Sequence, residues 1–320
     1  TQISKPISSD GAADDYFGCS VSIFSDTVVV GSYLDDDNGD NSGSAYVFTR
    51  NNQTADDWGQ VKKLTASDGA ADDYFGCSVS ISGDIIVVGA YNDDNGSAYV
   101  FYRNQDGADN WGQVKKLTAS DGAFMDYFGC SVSISGDTIV VGAHWDDDND
   151  SSSGSAYVFT RNQDGADNWG QVKKLTASDG AASDNFGYSV SISGDIIVVG
   201  AYGNNSNKGA AYVFYRNEGG ADNWGQVEKL VASDGEGYVD PNLGDEFGYS
   251  VSISVDTIVV GAHRDDVDVN TCQGSAYVFS RNNETHADVW GQIAKLTASD
   301  GAASDNFGYS VSFSGDTIVV

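Results

Sequence analysis

A Phe-Gly pair recurs at Phe17, Phe75, Phe128, Phe186, Phe247 and Phe307, with spacings of 58, 53, 58, 61 and 60 residues. A self-similar period of this length constrains the architecture before any local preference does. Each copy is one small unit that must bury its apolar face against the next.

The copy that opens at Phe75 reads as four strands. Ser78-Val79-Ser80-Ile81 alternates small polar with β-branched residues, the period of a strand with one buried face. Ser82-Gly83-Asp84 supplies a tight turn, and the unbroken apolar run Ile85–Ala90 is a short inner strand buried on both faces. A polar loop leads to a third strand, Ser97–Phe101, and a second polar loop leads to a fourth, Trp111–Leu117. The paired lysines of the fourth strand place it at the sheet edge, where charge discourages edge-to-edge pairing. Four short antiparallel strands per copy, with no helical period, predict an all-β chain: a β-propeller of four-stranded antiparallel blades.

In chain order, Thr1–Ser8 resembles the fourth-strand stretch and is expected to be an outer strand. Blades begin near residues 17, 75, 128, 186, 247 and 307, and the sixth stops at Val320 after its second strand. The expectation is one propeller domain over residues 1–320, with six or seven blades in the full chain. Either the natural chain continues, or a neighbour supplies the missing strand of the last blade. An open edge there would be a template for self-assembly.

Composition narrows the class of partner. With 47 acidic against 16 basic residues, the net charge of −31 argues against nucleic acid and anionic membranes and favours cations, basic partners or a salty medium that screens the charge. No apolar run approaches a membrane span. Four cysteines do not make a disulfide scaffold. Cys19, Cys77 and Cys130 stand just after Phe-Gly, where later copies have Tyr188, Tyr249 and Tyr309, which marks a packing position. Cys272 lies in a variable loop, free or linked to another chain.

The succession Phe-Gly, S-V-S-I-S, V-V-G-A and G-S-A-Y-V-F resembles the FG-GAP repeat of integrin α-chain propellers, and more closely a short bacterial and algal variant ending W-x-Q-x-x-K-L-T-A-S-D-G. The resemblance covers essentially the whole chain and implies a propeller fold, an extracellular setting and adhesion. Integrin-type repeats carry calcium ligands in the hairpin between the first two strands. Here that hairpin is Ser-Gly-Asp with one carboxylate, too few oxygens for calcium.

Antiparallel alternation sends the 2–3 loops and the loops between blades to one face, and the 1–2 hairpins and 3–4 loops to the other. The first face then collects aspartates into an acidic crown. Three of its loops have oxygen ligands at i, i+2 and i+4: Asp36-Asn38-Asp40, Asp146-Asp148-Asp150 and Asp266-Asp268-Asn270. A shorter set, Asp93 with Asn95, stands in the second copy. Alternate residues of a tight loop can turn oxygens onto one hard cation, so calcium is the cofactor expected there. The competing reading is a solvated acidic loop.

Tyr33, Tyr91, His144, Tyr202 and His263, with Trp145 beside His144, form a recurring aromatic position at the rim of this face. They either stack on sugar rings or shield the strand ends. Sequons at Asn52, Asn95, Asn149, Asn204 and Asn283 are candidates for glycosylation. Nearly every polar residue is periodic, so no base, nucleophile and orienting group stand at unique positions as an enzyme requires. The expectation is a non-enzymatic extracellular or cell-surface module presenting an acidic, calcium-loaded face to a protein or glycan. The alternative is a structural subunit of a filament or coat.

Overall fold

The computed structural model describes residues 4–51, 57–237, 244–282 and 289–320. The first sheet contains β1 (Val21–Phe24), β2 (Thr27–Ser32), β3 (Ser44–Asn51) and β4 (Asp57–Leu64), and the second β5 (Ser78–Ser82), β6 (Ile85–Ala90), β7 (Ser97–Tyr102) and β8 (Gly112–Leu117). The third contains β9 (Ser131–Ser135), β10 (Thr138–Ala143), β11 (Ser155–Thr160) and β12 (Gly170–Leu175). The fourth contains β13 (Ser189–Ser193), β14 (Ile196–Ala201), β15 (Ala210–Tyr215) and β16 (Gly225–Leu230), with a helical turn, α1 (Asn204–Asn207), between β14 and β15. The fifth contains β17 (Ser250–Ser254), β18 (Thr257–Ala262), β19 (Ser275–Asn282) and β20 (Val289–Leu296), and the last only β21 (Ser312–Ser314) and β22 (Thr317–Val319). The fold is all-β, each full sheet being a propeller blade in sequential antiparallel order. Residues 4–8, expected as an outer strand, form none.

The chain parts into two compact units, residues 1–141 with 159–171 and residues 142–158 with 172–320, the boundary falling inside the third copy. Within each unit the alternation of S-V-S-I-S explains how one sheet meets the next. Val79 and Ile81 are buried, while the serines between them stitch successive first strands together. Ser22 Oγ accepts the Ile81 N–H at 3.2 Å, and Ser78 Oγ donates to the Gly129 carbonyl at 2.8 Å. In the second unit Ser191 Oγ accepts from Ile253 N–H at 3.1 Å, and Ser189 Oγ donates to the Gly248 carbonyl at 2.8 Å. The glycine of V-V-G-A follows from the same contact. A Cβ on Gly89 would lie 2.0 Å from the Gly129 carbonyl oxygen, so no larger residue fits.

The third and fourth strands pair through a recurring bulge. The register shifts between Val47 and Phe48, Val100 and Phe101, Val213 and Phe214, and Val278 and Phe279. One extra residue on the fourth strand reverses which face its following side chains take. It sets Lys63 opposite Tyr46, Lys116 opposite Tyr99, Lys229 opposite Tyr212 and Lys295 opposite Tyr277.

Candidate functional site

Within each unit the 2–3 loops meet the loops that enter the next sheet, as the strand alternation requires. Asp72 N–H donates to the Asp40 carbonyl at 2.8 Å, and Phe75 N–H to that of Ser42 at 3.1 Å. The surface is acidic, but its carboxylates divide into three kinds.

The first kind is buried and bound to a lysine. Asp35 accepts from Tyr46 Oη at 2.7 Å, Ser44 Oγ at 3.0 Å and Lys63 Nζ at 3.1 Å. Lys63 also reaches Asp10 at 2.8 Å and Asp37 at 2.6 Å. The arrangement repeats as Asp93, Tyr99, Lys116 and Asp68. It repeats again as Asp146, Tyr157, Lys174 and Asp148, and as Asp265, Tyr277, Lys295 and Asp234. In the fourth copy Asn204 replaces the loop aspartate, and Lys229 bonds Asn204 at 2.9 Å and Asp179 at 2.6 Å.

The paired lysines are therefore not mainly edge guards. The second of each pair is the cation of its own acidic cluster. The first reaches along the unit, Lys62 to Asn110 and Lys115 to Asn168, both at 3.0 Å. Burial works against the Lys63 charge, but its bonds to Asp10 and Asp37 outweigh it, so the ammonium is held protonated. Burial and then Asp35 push the Tyr46 hydroxyl up, and Tyr99 shifts the same way through burial and Asp93. At neutral pH these groups are neither bases nor nucleophiles.

The second kind caps the loops. Asp15, Asp73, Asp126, Asp184 and Asp245 are buried, and each accepts a backbone N–H of its own loop at 2.6 to 3.0 Å. Asp36 accepts from Asn41 N–H at 2.8 Å, Asp147 from Ser152 at 2.6 Å and Asp266 from Cys272 at 2.8 Å. The third kind, Asp14, Asp40, Asp72, Asp94, Asp150 and Asp268, is exposed and keeps the face negative.

These roles bear on the expected calcium loops. The i, i+2, i+4 sets begin one position apart: Asp146 is the buried, lysine-bound residue, whereas Asp36 and Asp266 each follow it. Asn38 is exposed, and Asn270 donates to Gln273 Oε1 at 2.7 Å. Among the described residues no group of three or more His, Cys, Asp or Glu is arranged to hold a metal ion. Calcium does not fit the inner position, because lysine ammonium groups take those oxygens.

The aromatic position is packed. In the first unit Tyr16, Tyr33, Tyr74, Tyr91 and Tyr127 form a ladder with centroids 5.2 to 5.9 Å apart. In the second, His144 meets Tyr188 at 5.3 Å, Tyr188 meets Tyr202 at 4.7 Å, and Tyr249 meets His263 at 4.0 Å. Neighbouring rings thus cover one another, the arrangement of a shield. Burial pulls both histidines down to about 4. The ladder explains the Cys–Tyr exchange. Where Tyr precedes Phe-Gly, as at Tyr74, the residue after is small, Cys77. Where Asn or Glu precedes, as at Asn185 and Glu246, Tyr188 and Tyr249 supply the ring. Burial pushes the Cys77 thiol up to about 12, and none of the four cysteines is in a disulfide.

Asn95 and Asn149 are exposed, but Asn204 is buried, with Nδ2 on Asp184 at 2.9 Å and Oδ1 on Lys229, so it is not an open sequon. Asn52 and Asn283 lie outside the described residues. Sequence reasoning passed over Phe124, Met125 and Val269, which break the repeat on this face. Phe124 and Met125 stand where the preceding copy has Ala71 and Asp72, and that departure was the available signal.

The sequence profile of the FG-GAP repeat matches residues 1–48, 58–101, 111–159, 169–214, 224–279 and 290–320. Among solved structures, Kuenenia stuttgartiensis hydrazine synthase is similar in fold, with TM-score 0.51 and 10% identity over 89% of this chain and 68% of that one. No curated protein matches. No helix among the described residues is long and apolar enough to cross a membrane.

Proposed function

The chain belongs to the FG-GAP repeat family, and from that premise we propose that it is an extracellular, non-catalytic adhesion module whose acidic loop face binds a protein or glycan partner. One observation carries the reading: large apolar side chains stand exposed among the acids where the repeat is broken. In the first unit Phe124 is 72% exposed, and in the second Trp145 is 39% exposed. Trp145 meets the His144 ring edge-on at 5.9 Å and still keeps part of its indole in solvent, and exposed aromatics of this kind anchor interfaces, with the surrounding charge steering the approach. The exposed sequon Asn149 lies on the same loop as Trp145 and Asn95 on the corresponding loop of the preceding copy, and both suit a secreted chain.

The test is attachment of beads coated with the chain to a panel of basic proteins and neutral and charged glycans. Attachment to at least one is expected to fall severalfold in Trp145→Ala or in Phe124→Ala with Met125→Asp. Attachment to none, or equal attachment by every variant, overturns the loop-face reading.

A further inference from the structure

We propose that the cleft between the first and second sheets, on the rim of the 1–2 hairpins and 3–4 connections, binds one neutral sugar ring. This rim is opposite the acidic loop face, and the inference does not rest on the function proposed for that face.

A tryptophan opens each W-G-Q stretch, and its indole N–H needs an acceptor. Trp169 Nε1 donates to Tyr102 Oη at 2.8 Å, and Trp290 Nε1 to Tyr215 Oη at 3.0 Å. Each tyrosine is the last residue of the third strand in the preceding sheet. At that position the first sheet has Thr49, whose hydroxyl stops at the β-carbon. Trp111 packs in the core shared by the first two sheets and is 1% exposed, yet its Nε1 has no protein acceptor. A buried indole N–H normally finds a partner. By the repeat, this one faces the place that Tyr102 fills one sheet later.

The exchange of Tyr for Thr also redirects an arginine. Arg161 lies over the Tyr102 ring at 4.9 Å, whereas Arg103 lies over Trp111 at 4.9 Å and bonds Thr27 Oγ1 at 3.0 Å. Beside it is a cavity of about 450 Å³, lined by Phe24, Thr49, Arg50, Asp84, Arg103 and Asp109 among others. That volume is in the range of small-ligand sites and accommodates a pyranose.

The lining selects the class of ligand. Arg103 is paired with Asp84 at 2.7 Å and Asp109 at 3.7 Å, and Arg50 with Asp26 at 4.0 Å. Two guanidinium groups against three carboxylates leave no surplus positive charge for an anion. Fixed donors alternate with fixed acceptors, which suits hydroxyl groups that both donate and accept. Phe24, 47% exposed, offers an apolar plate to the C–H face of a sugar. The neighbouring cleft, about 570 Å³, is lined by Tyr102, which takes the Trp169 indole N–H, whereas Trp111 lies behind Arg103 and does not itself line the smaller cleft.

The experiment is saturation-transfer NMR on the full chain with glucose, galactose, mannose, N-acetylglucosamine and fucose, followed by titration of the strongest binder. At least one sugar is expected to bind, with Kd raised tenfold or more in Thr49→Tyr, which fills the cleft and pairs the indole. Tyr102→Thr is expected to add a second binding event. If Thr49→Tyr fails to fold, Phe24→Ala, a surface change, reads the same loss. No binding by any of the five sugars overturns the proposal. So does a Kd that is unchanged in Thr49→Tyr or, where Phe24→Ala stands in for it, in Phe24→Ala.

Discussion

Tyr46 and Lys63 stand opposite each other across β3 and β4 and close on one buried carboxylate, Asp35, the hydroxyl at 2.7 Å and the ammonium at 3.1 Å. This relationship recurs along the chain, and it gives the acidic face an internal cation in each full blade. Removing the cation while leaving the carboxylates strands buried negative charge. Lys63→Met is therefore expected to destabilise the protein by about 3 kcal/mol, read as a lowered urea midpoint. Lys62→Met removes only an exchangeable bond to Asn110 and is expected to cost less than about 1 kcal/mol. Equal effects of the two would refute the assignment.

If lysine is the resident cation, calcium adds little. Melting with calcium and with a chelator, at fixed ionic strength, is expected to give the same Tm. A ligand bound only by the native state at about 100 times its Kd would add roughly 2.7 kcal/mol, so a calcium-specific rise of several degrees would show that the outer aspartates make a metal site after all.

Asp245 gives a pH dependence. Burial pushes its carboxyl up to about 7 from 3.8. A raised carboxyl pKa favours the protonated native state, so this contribution is full below pH 4 and is lost as pH rises through about 7. Asp245→Asn keeps an acceptor for the Glu236 N–H without the buried charge. It is expected to match the parent near pH 3 and to exceed it by about 1–3 kcal/mol at pH 8. A variant less stable than the parent at pH 8 would overturn this account. In the opposite sense, Asp10 is held low by its bond to Lys63, and its contribution is present above pH 4 and lost as pH falls below 3.8.

Much of this protein was legible before any coordinates. The Phe-Gly period fixed the copies, the alternation of Ser78 to Ile81 fixed a one-faced strand, and the apolar run Ile85–Ala90 fixed an inner one, because strand periodicity is a local property of burial. The Cys77–Tyr188 exchange was readable as packing for the same reason. The lysines were not. Their meaning depends on a single bulge residue, Val61, that has no sequence mark of its own and reverses the face on which Lys63 emerges. The acidic loops could not be sorted into kinds from the sequence, because spacing along the chain says nothing about which oxygens an ammonium from another strand already holds. The unsatisfied Trp111 arises from Thr49, 62 positions earlier in the chain, and became visible only when two sheets met. Sequence determined what each blade is; tertiary structure decided which charges are spent inside and where a polar group is left open, since both depend on distances between residues far apart in the chain.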